Sequence, residues 1–266
     1  MNIGELEIHS VFDGKATVPP GPTYAALGVV GKGADPEDWT AHRDLLNGDG
    51  KLEIAMGGFL VLSGDRKILI DTGIGPMDGN QNFGQLLQSL GTLGLAATDV
   101  TDVVLTHLHF DHIGWVSRDA EPVFPNATYR CDIRDWDHFV GTDDQATKAM
   151  NPVTERFEPF DGDVSLAPGV DTRLAAGHTP GSSIIVLSSG AARGLLVGDV
   201  VHCPVELLDD EWGGMGDVDP ELARRTRNSL ARELEGSEIP VAAAHFPGLQ
   251  FGRLLTGEGR RSWLFQ

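Results

Sequence analysis

The sequence predicts an α/β protein, and three observations carry that expectation. Short β-rich runs recur along the whole 266-residue chain, helical runs fall between them, and several β-runs stop at a His or an Asp. No low-complexity linker divides the chain, so residues 1–266 read as a single domain. With 41% hydrophobic and 22% charged residues there is enough apolar surface for a sizeable core, which excludes a disordered or collagen-like protein.

Ile3 to Phe12 alternates as a half-buried strand does, and the following ATVPPGPTY, ending at Tyr24, reads as a loop from its Pro and Gly content. In GGFLVLSGDRKILIDTG two β-rich runs flank the turn residues Ser63, Gly64 and Asp65, the pattern of a hairpin ending at Asp71. Apolar residues at Phe83, Leu86, Leu87 and Leu90 follow the spacing of a helix with one buried face, extending to Leu93. The strand Val103 to Leu105 runs directly into a histidine cluster. Ala127 to Cys131 reads as a strand, Ile133 to Val140 as a helix, and Gly141 to Phe157 as a polar helical stretch. Strand-like runs follow at Thr172 to Ala175, Ser183 to Leu187 and Gly194 to Val197. A helix over Pro220 to Glu235 has Asp219 at its N-cap and Pro220 at its first position. Val241 to Ala244 is the last predicted strand, and it stops at His245. ILIDTG at 68–73 and LLVGDV at 195–200 are both β-runs ending in an acidic loop, a short similarity compatible with two related sheets packed together.

Charge and cysteine content narrow the partners. Lys plus Arg number 20 against 39 Asp plus Glu, a net −19 that repels phosphate backbones and anionic membrane surfaces, so neither nucleic acid nor membrane is an expected partner. The two cysteines, Cys131 and Cys203, make no disulfide framework, and MNIGELEIHS lacks the pattern of a signal peptide, so the expected compartment is the cytoplasm. No apolar run reaches the roughly 18 residues of a membrane helix.

Chemistry concentrates at Thr106-His107-Leu108-His109-Phe110-Asp111-His112, where four candidate metal ligands follow a β-run. If strand geometry persists, His107 and His109 project to the same side, and a turn at Asp111-His112 presents a second set, giving two adjacent cation sites. His178 after LAAG, Asp199 after LLVG and His245 after VAAA stand at further strand ends, where a rigid scaffold can assemble a site from many loops.

These residues resemble the signature of the metallo-β-lactamase superfamily, His-x-His-x-Asp-His followed by a distant His, an Asp and a final His. The resemblance spans Ile68 to His245 and includes Gly177-His178-Thr179-Pro180-Gly181 and Gly198-Asp199. It implies a four-layer αβ/βα sandwich of two mixed β-sheets flanked by helices, with a binuclear site between the ends of the sheets. By that match His107, His109 and His178 hold one metal, Asp111, His112 and His245 the other, and Asp199 bridges them. Nitrogen and oxygen ligation suits two divalent ions, Zn²⁺ first, with Mn²⁺, Fe²⁺ and Co²⁺ also accepted. Two such metals can share a hydroxide that attacks a carbonyl or phosphoryl centre, with Asp199 or a nearby group handling the proton.

Within that superfamily the chain looks most like the small-molecule branch of N-acyl homoserine lactonases and methyl-parathion-hydrolase-like phosphotriesterases. Only 21 residues follow His245, too few for the helical substrate domain of glyoxalase II, and the acidic chain opposes an RNase Z-like nuclease. The missing export signal and Asp199 oppose a periplasmic β-lactamase; His109 and the chain length oppose a flavodiiron protein. Lactonases often carry a Tyr three residues after the bridging Asp, whereas here His202 occupies that position, a departure shared with phosphotriesterase-type members. The expected catalytic residues are therefore Asp111, Asp199 and His202, acting on a small-molecule substrate, with lactone opening first, phosphotriester hydrolysis second, and a non-hydrolytic iron protein as the rival class. Cys203 is expected to be packed rather than reactive, and Phe110, Trp115 and Phe246 are expected in the core or at an apolar mouth. Trp263 and Phe265 suggest a docked tail or a homodimer contact. Leu45 to Gly50 resembles a calcium loop but lacks its terminal carboxylates, and no Gly-x-Ser-x-Gly elbow occurs.

Overall fold

A computed structural model describes residues 1–266. The chain begins with the short strand β1 (Asn2–Ile3) and the long strand β2 (Leu6–Val18), then a helix α1 (Pro20–Ala26). This corrects the expected loop through Tyr24. Alternation persists to Val18, and Pro20 sits at the start of a helix, where its missing N–H has no intrahelical partner to lose. The expected hairpin is present as β3 (Leu52–Ser63) and β4 (Arg66–Ile70), antiparallel from Phe59↔Ile70 to Ser63↔Arg66.

Helix α2 (Leu86–Thr92) is shorter than its apolar spacing predicted, because the Leu86 N–H is taken by the buried Asp13 carboxylate and the chain before it is loop. After β5 (Asp102–Val104) come the small pair β6 (Ser117–Arg118) and β7 (Glu121–Pro122), then β8 (Thr128–Arg130) and helix α3 (Ile133–Phe139). The polar 141–157 stretch is helical in two pieces, α4 (Asp144–Met150) and a 3₁₀ turn over Asn151–Arg156, the break coinciding with Pro152. Strands β9 (Ser165–Ala167), β10 (Val170–Leu174), β11 (Ser183–Ser189) and β12 (Ala192–Leu196) follow, then the short helix α5 (Val205–Leu208) and α6 (Pro220–Leu234), whose N-terminus is capped by Asp219 as expected. Strand β13 (Val241–Ala242) precedes a hairpin of β14 (Gly252–Gly257) and β15 (Arg260–Phe265).

That last hairpin escaped the sequence reading because its charged residues, Arg253, Arg260 and Arg261, mask the alternation. Trp263 and Phe265 belong to it and pack on the layer beneath, the Trp263 ring lying 5.3 Å from Phe246, so the terminus is docked on its own chain.

The strands form two mixed sheets, β1-β2-β3-β4-β5-β8 and β15-β14-β13-β12-β11-β10-β9. Their inner faces share one apolar core in which Ile8, Phe59, Val61, Ile68 and Val104 of the first meet Ile185, Leu187 and Leu196 of the second. On the outer face of the first sheet, Leu86, Leu90, Phe139, Ala146 and Met150 bring α2, α3 and α4 onto Val103 and Leu105. On the outer face of the second, Leu230, Ala231 and Leu234 of α6 cover Ile184, Leu195 and Val241. The result is the expected four-layer αβ/βα sandwich. The parallel pairs β4·β5, β5·β8 and β12·β13 put strand ends at one edge of the sandwich, where Asp71, His107, Asp199 and His245 emerge.

Candidate metal centre

The histidine tract leaves β5 at Val104 and turns at once. Leu108, Ile113 and Trp115 drop into the core and anchor the loop, while His107, His109 and His112 face the edge of the sandwich. His107 and His109 do share a side, with ring centroids 4.8 Å apart, although regular strand geometry stops before them. The His112 N–H donates to the His109 carbonyl at 3.0 Å, the turn that brings His112 back beside His107 at 4.0 Å between rings.

The other donors arrive from the second sheet. His178 follows β10, Asp199 and His202 follow β12, and His245 follows β13. Gly198 (φ +51°) makes the turn before Asp199, and a side chain there would meet Thr106 at 2.8 Å. Asp199 is the meeting point. Its Oδ1 lies 3.2 Å from His112 Nε2; its Oδ2 lies 3.2 Å from His202 Nε2 and His245 Nε2, 3.6 Å from His178 Nε2 and 3.7 Å from His107 Nε2. Four overlapping donor groups result: His107, His109 and His178; His107, His112 and Asp199; Asp111, His112 and His245; and His178, Asp199 and His202. In each, the donor atoms lie within 4.8 Å of one another. Every candidate site residue of the sequence, His202 included, is thus brought to one basin.

Partners on the far ring nitrogens aim these imidazoles. Asp71 Oδ2 holds His112 Nδ1 at 2.9 Å, and the same carboxylate accepts the Thr106 N–H and hydroxyl, both at 2.8 Å. Asp71 adopts a left-handed backbone (φ 59°), uncommon for a non-glycine residue, as the chain leaves β4. Asp217 holds His178 Nδ1 at 3.1 Å, the Ala55 carbonyl accepts from His245 Nδ1 at 2.9 Å, and Thr106 Oγ1 stands 3.1 Å from His107 Nδ1. His109 and His202 are the exceptions: His109 presents Nδ1 to His178 Nε2 at 2.9 Å, and His202 Nδ1 has no hydrogen-bond partner. Behind both loops, Asp135 accepts from Leu108 N, Thr179 Oγ1 and Gly181 N, tying the His107 loop to the His178 loop.

The basin has the polar demand of a cation site. His107 Nε2, His112 Nε2 and Asp199 Oδ1 are buried without a hydrogen-bond partner, and each such atom costs about 1–3 kcal/mol if left unsatisfied. Burial lowers the His107 and His178 pKa values, and burial, with repulsion from a protonated His178, brings His109 down to about 4, shifts that favour the neutral imidazole that ligates metal. Around Asp199 the balance reverses. Burial alone would depress His112, His245 and His202, yet the Asp199 carboxylate raises all three, helped at His202 by Glu206, which carries it to about 10. Burial alone would raise Asp199, but His112, His245, His202 and His107 hold it well below the carboxylate range. The acidic side of the basin draws positive charge to itself, as a divalent-ion site must.

Sequence reasoning missed the supporting acids. Asp71 stood in the ILIDTG run as a strand-end acid, a signal that could have assigned it; Asp135, Glu206 and Asp217 carry no spacing that marks them. Tyr24, expected in a loop, is fully buried and donates to Glu206 Oε1 at 2.7 Å. Trp115 and Phe246 are core residues, Trp115 donating through Nε1 to Asp13 at 2.7 Å, while Phe110 is half-exposed at the rim. Cys203 is buried, as expected.

Residues 58–242 match the model of the Metallo-beta-lactamase superfamily. N-acyl homoserine lactonase AiiA of Bacillus thuringiensis subsp. kurstaki is 23% identical over 208 residues, 71% of this chain and 80% of that protein. AidC, a dizinc quorum-quenching lactonase solved in complex with its product N-hexanoyl-L-homoserine, superposes with a TM-score of 0.85 at 26% identity, covering 100% of this chain and 96% of that one. The hydrolase AbOPH superposes with a TM-score of 0.84 at 24% identity, covering 100% and 95%, a likeness of fold alone.

Proposed function

The chain belongs to the metallo-β-lactamase superfamily, and on that basis we propose that it is a dinuclear metal-dependent hydrolase that opens a lactone ring, an N-acyl homoserine lactone first. The observation that carries the reading is Asp199, whose two oxygens face five imidazole Nε2 atoms at 3.2–3.7 Å. We assign His107 Nε2, His109 Nδ1 and His178 Nε2 to one divalent ion, Asp111, His112 and His245 to the other, and Asp199 to both. Zn²⁺ suits this nitrogen and oxygen set, which Mn²⁺, Fe²⁺ and Co²⁺ also accept. Neither free cysteine, Cys131 or Cys203, is spent on a disulfide, in keeping with a reducing cytoplasm.

Two divalent ions held there would lower the pKa of water to about 7 and polarise the attacked carbonyl oxygen. The chain's own groups handle position and protons. Asp71, Asp217 and the Ala55 carbonyl fix the far nitrogens of His112, His178 and His245, so that their Nε2 atoms are pre-aimed. Asp111, in the donor set with His112 and His245, would accept the proton that water gives up, with Asp199 holding the charge of the basin. His202, with Nε2 3.2 Å from Asp199 Oδ2, returns a proton to the leaving ring oxygen. The water oxygen ends on the acyl carbon, the ring C–O bond breaks, and a carboxylate and an alcohol result.

His202 in the place of the lactonase tyrosine favours a second reading, hydrolysis of a neutral phosphotriester. Proton release in a pH-stat separates the two. Metal-replete protein is expected to open N-hexanoyl homoserine lactone, and His109→Ala to abolish it; turnover of the phosphotriester alone would promote the second reading, and silence on both would sink the hydrolase assignment for these substrates.

A further inference from the structure

We propose that Arg227 is the positioning residue for the second-sheet half of the basin, acting on His178 through Asp217 and on His202 through Glu206. Arg227 lies in the middle of α6 and is 1% exposed, an unusual place for a guanidinium unless it is paired. Its Nη2 donates to Asp217 Oδ2 at 3.1 Å, and the other oxygen of that carboxylate holds His178 Nδ1, also at 3.1 Å. Its Nε stands 3.4 Å from Glu206 Oε2, the oxygen that accepts the His202 backbone N–H at 3.0 Å and lies 3.6 Å from His202 Nδ1. The same Nε donates to the Val200 carbonyl at 3.0 Å, inside the turn that carries Asp199 and His202. Glu206 is pinned from its opposite side by the Tyr24 hydroxyl.

One planar group therefore touches three supports of the site at once: the loop carrying Asp217, the turn 199–202 and the helix start carrying Glu206. The neighbouring loop is shaped around it, since a Cβ at Gly214 would fall 2.0 Å from Nη2. A fork with donors at fixed angles can hold two carboxylates and a carbonyl together, whereas an ammonium is a single point charge on a flexible stem. Asp217 is ionic on one side and hydrogen-bonds the His178 ring on the other, while Glu206 holds the His202 backbone N–H with the ring 3.6 Å away, so the place of each carboxylate bears on where the imidazole Nε2 points. The catalytic consequence rests on the dinuclear hydrolase reading; the geometric claim does not.

The test combines two readouts on the metal-replete full chain. The first is the imidazole ¹⁵N and N–H resonances of His178 and His202 in histidine-labelled protein; the second is the rate at which a chelator strips metal. Asp217→Asn should move His178 alone, Glu206→Gln should move His202 alone, and Arg227→Met should move both. In Arg227→Met metal loss should also quicken by about tenfold or more, in the range of losses when ligand-orienting partners are removed. Arg227→Lys keeps the charge without the fork and should also move both resonances, which preserves the test if Arg227→Met does not fold. Unchanged His178 and His202 signals in Arg227→Lys with a native circular dichroism spectrum would overturn the proposal. Failure of the parent protein to bind metal or open lactone would instead overturn the functional reading, since the resonances still report the network.

Discussion

The two halves of the basin are built by opposite means. The first sheet supplies His107, His109, Asp111 and His112 from one short loop, steadied by Asp71 at its back and by core side chains between the ligands. The second sheet supplies His178, Asp199, His202 and His245 from three separate strand ends, each needing its own support: a buried charged network behind His178 and His202, and the Ala55 carbonyl of the first sheet behind His245. A compact loop carries its order in its sequence; a dispersed half borrows order from tertiary contacts. Loss of a support in the first half should therefore act mainly on His112, whereas loss of Arg227 in the second should act on His178 and His202 together.

The largest effect should come from the compact loop itself. His112→Ala is expected to lose one metal equivalent and at least about 100-fold in lactone turnover. Elemental analysis beside initial rates checks it, and unchanged metal content would remove His112 from the ligand set. A smaller loss is expected at the loop's support: Asp71→Asn frees His112 Nδ1 and should weaken metal affinity by about 10–100-fold, measured by competition with a chromophoric chelator.

Asp135 joins the halves, and its effect is on stability. Burial raises its pKa from 3.8 to about 6, against the pull of its three donors. Between those values the folded chain holds a proton that the unfolded chain has released, so this group's contribution to stability falls as pH rises from about 4 to 6. The linked loss is on the order of 2–3 kcal/mol. Urea unfolding at pH 4 and 7 should show Asp135→Asn gaining that amount of stability relative to wild type between the two pH values; an unchanged difference between the two proteins would refute the assignment. The smallest effect is at Cys203, which is buried and whose thiol pKa burial pushes up. Iodoacetamide should leave it unlabelled in the native protein and label it on unfolding.

The same contrast explains what could be read from the chain. The tract 107–112 is a local pattern, and a β-run ending in several candidate ligands marks it without any tertiary contact. His178, Asp199 and His245 were legible because each stands after a strand, and local strand and helix periods gave the α/β class; the four-layer sandwich came from the resemblance of the ligand motifs to a known family. Asp217, Glu206 and Arg227 were not, since their meaning lies in contacts between α6, the turn at Val200 and α1 that no spacing encodes. The Pro-rich segment was misread for a related reason: Pro20 marks a helix start as readily as a loop, and the packing of Tyr24 under Glu206 decides between them. The terminal hairpin stayed hidden because Arg253, Arg260 and Arg261 interrupt its apolar alternation, leaving Leu254, Trp263 and Phe265 to mark the buried face.

The central claim is that two differently built halves close on Asp199 to make one two-cation basin. Metal stoichiometry of the purified protein beside Asp199→Ala tests it most directly. Two divalent ions per wild-type chain, falling to one or none in Asp199→Ala while the fold persists, is the predicted result. A wild-type chain that holds a single ion, or an Asp199→Ala chain that keeps both, would contradict it.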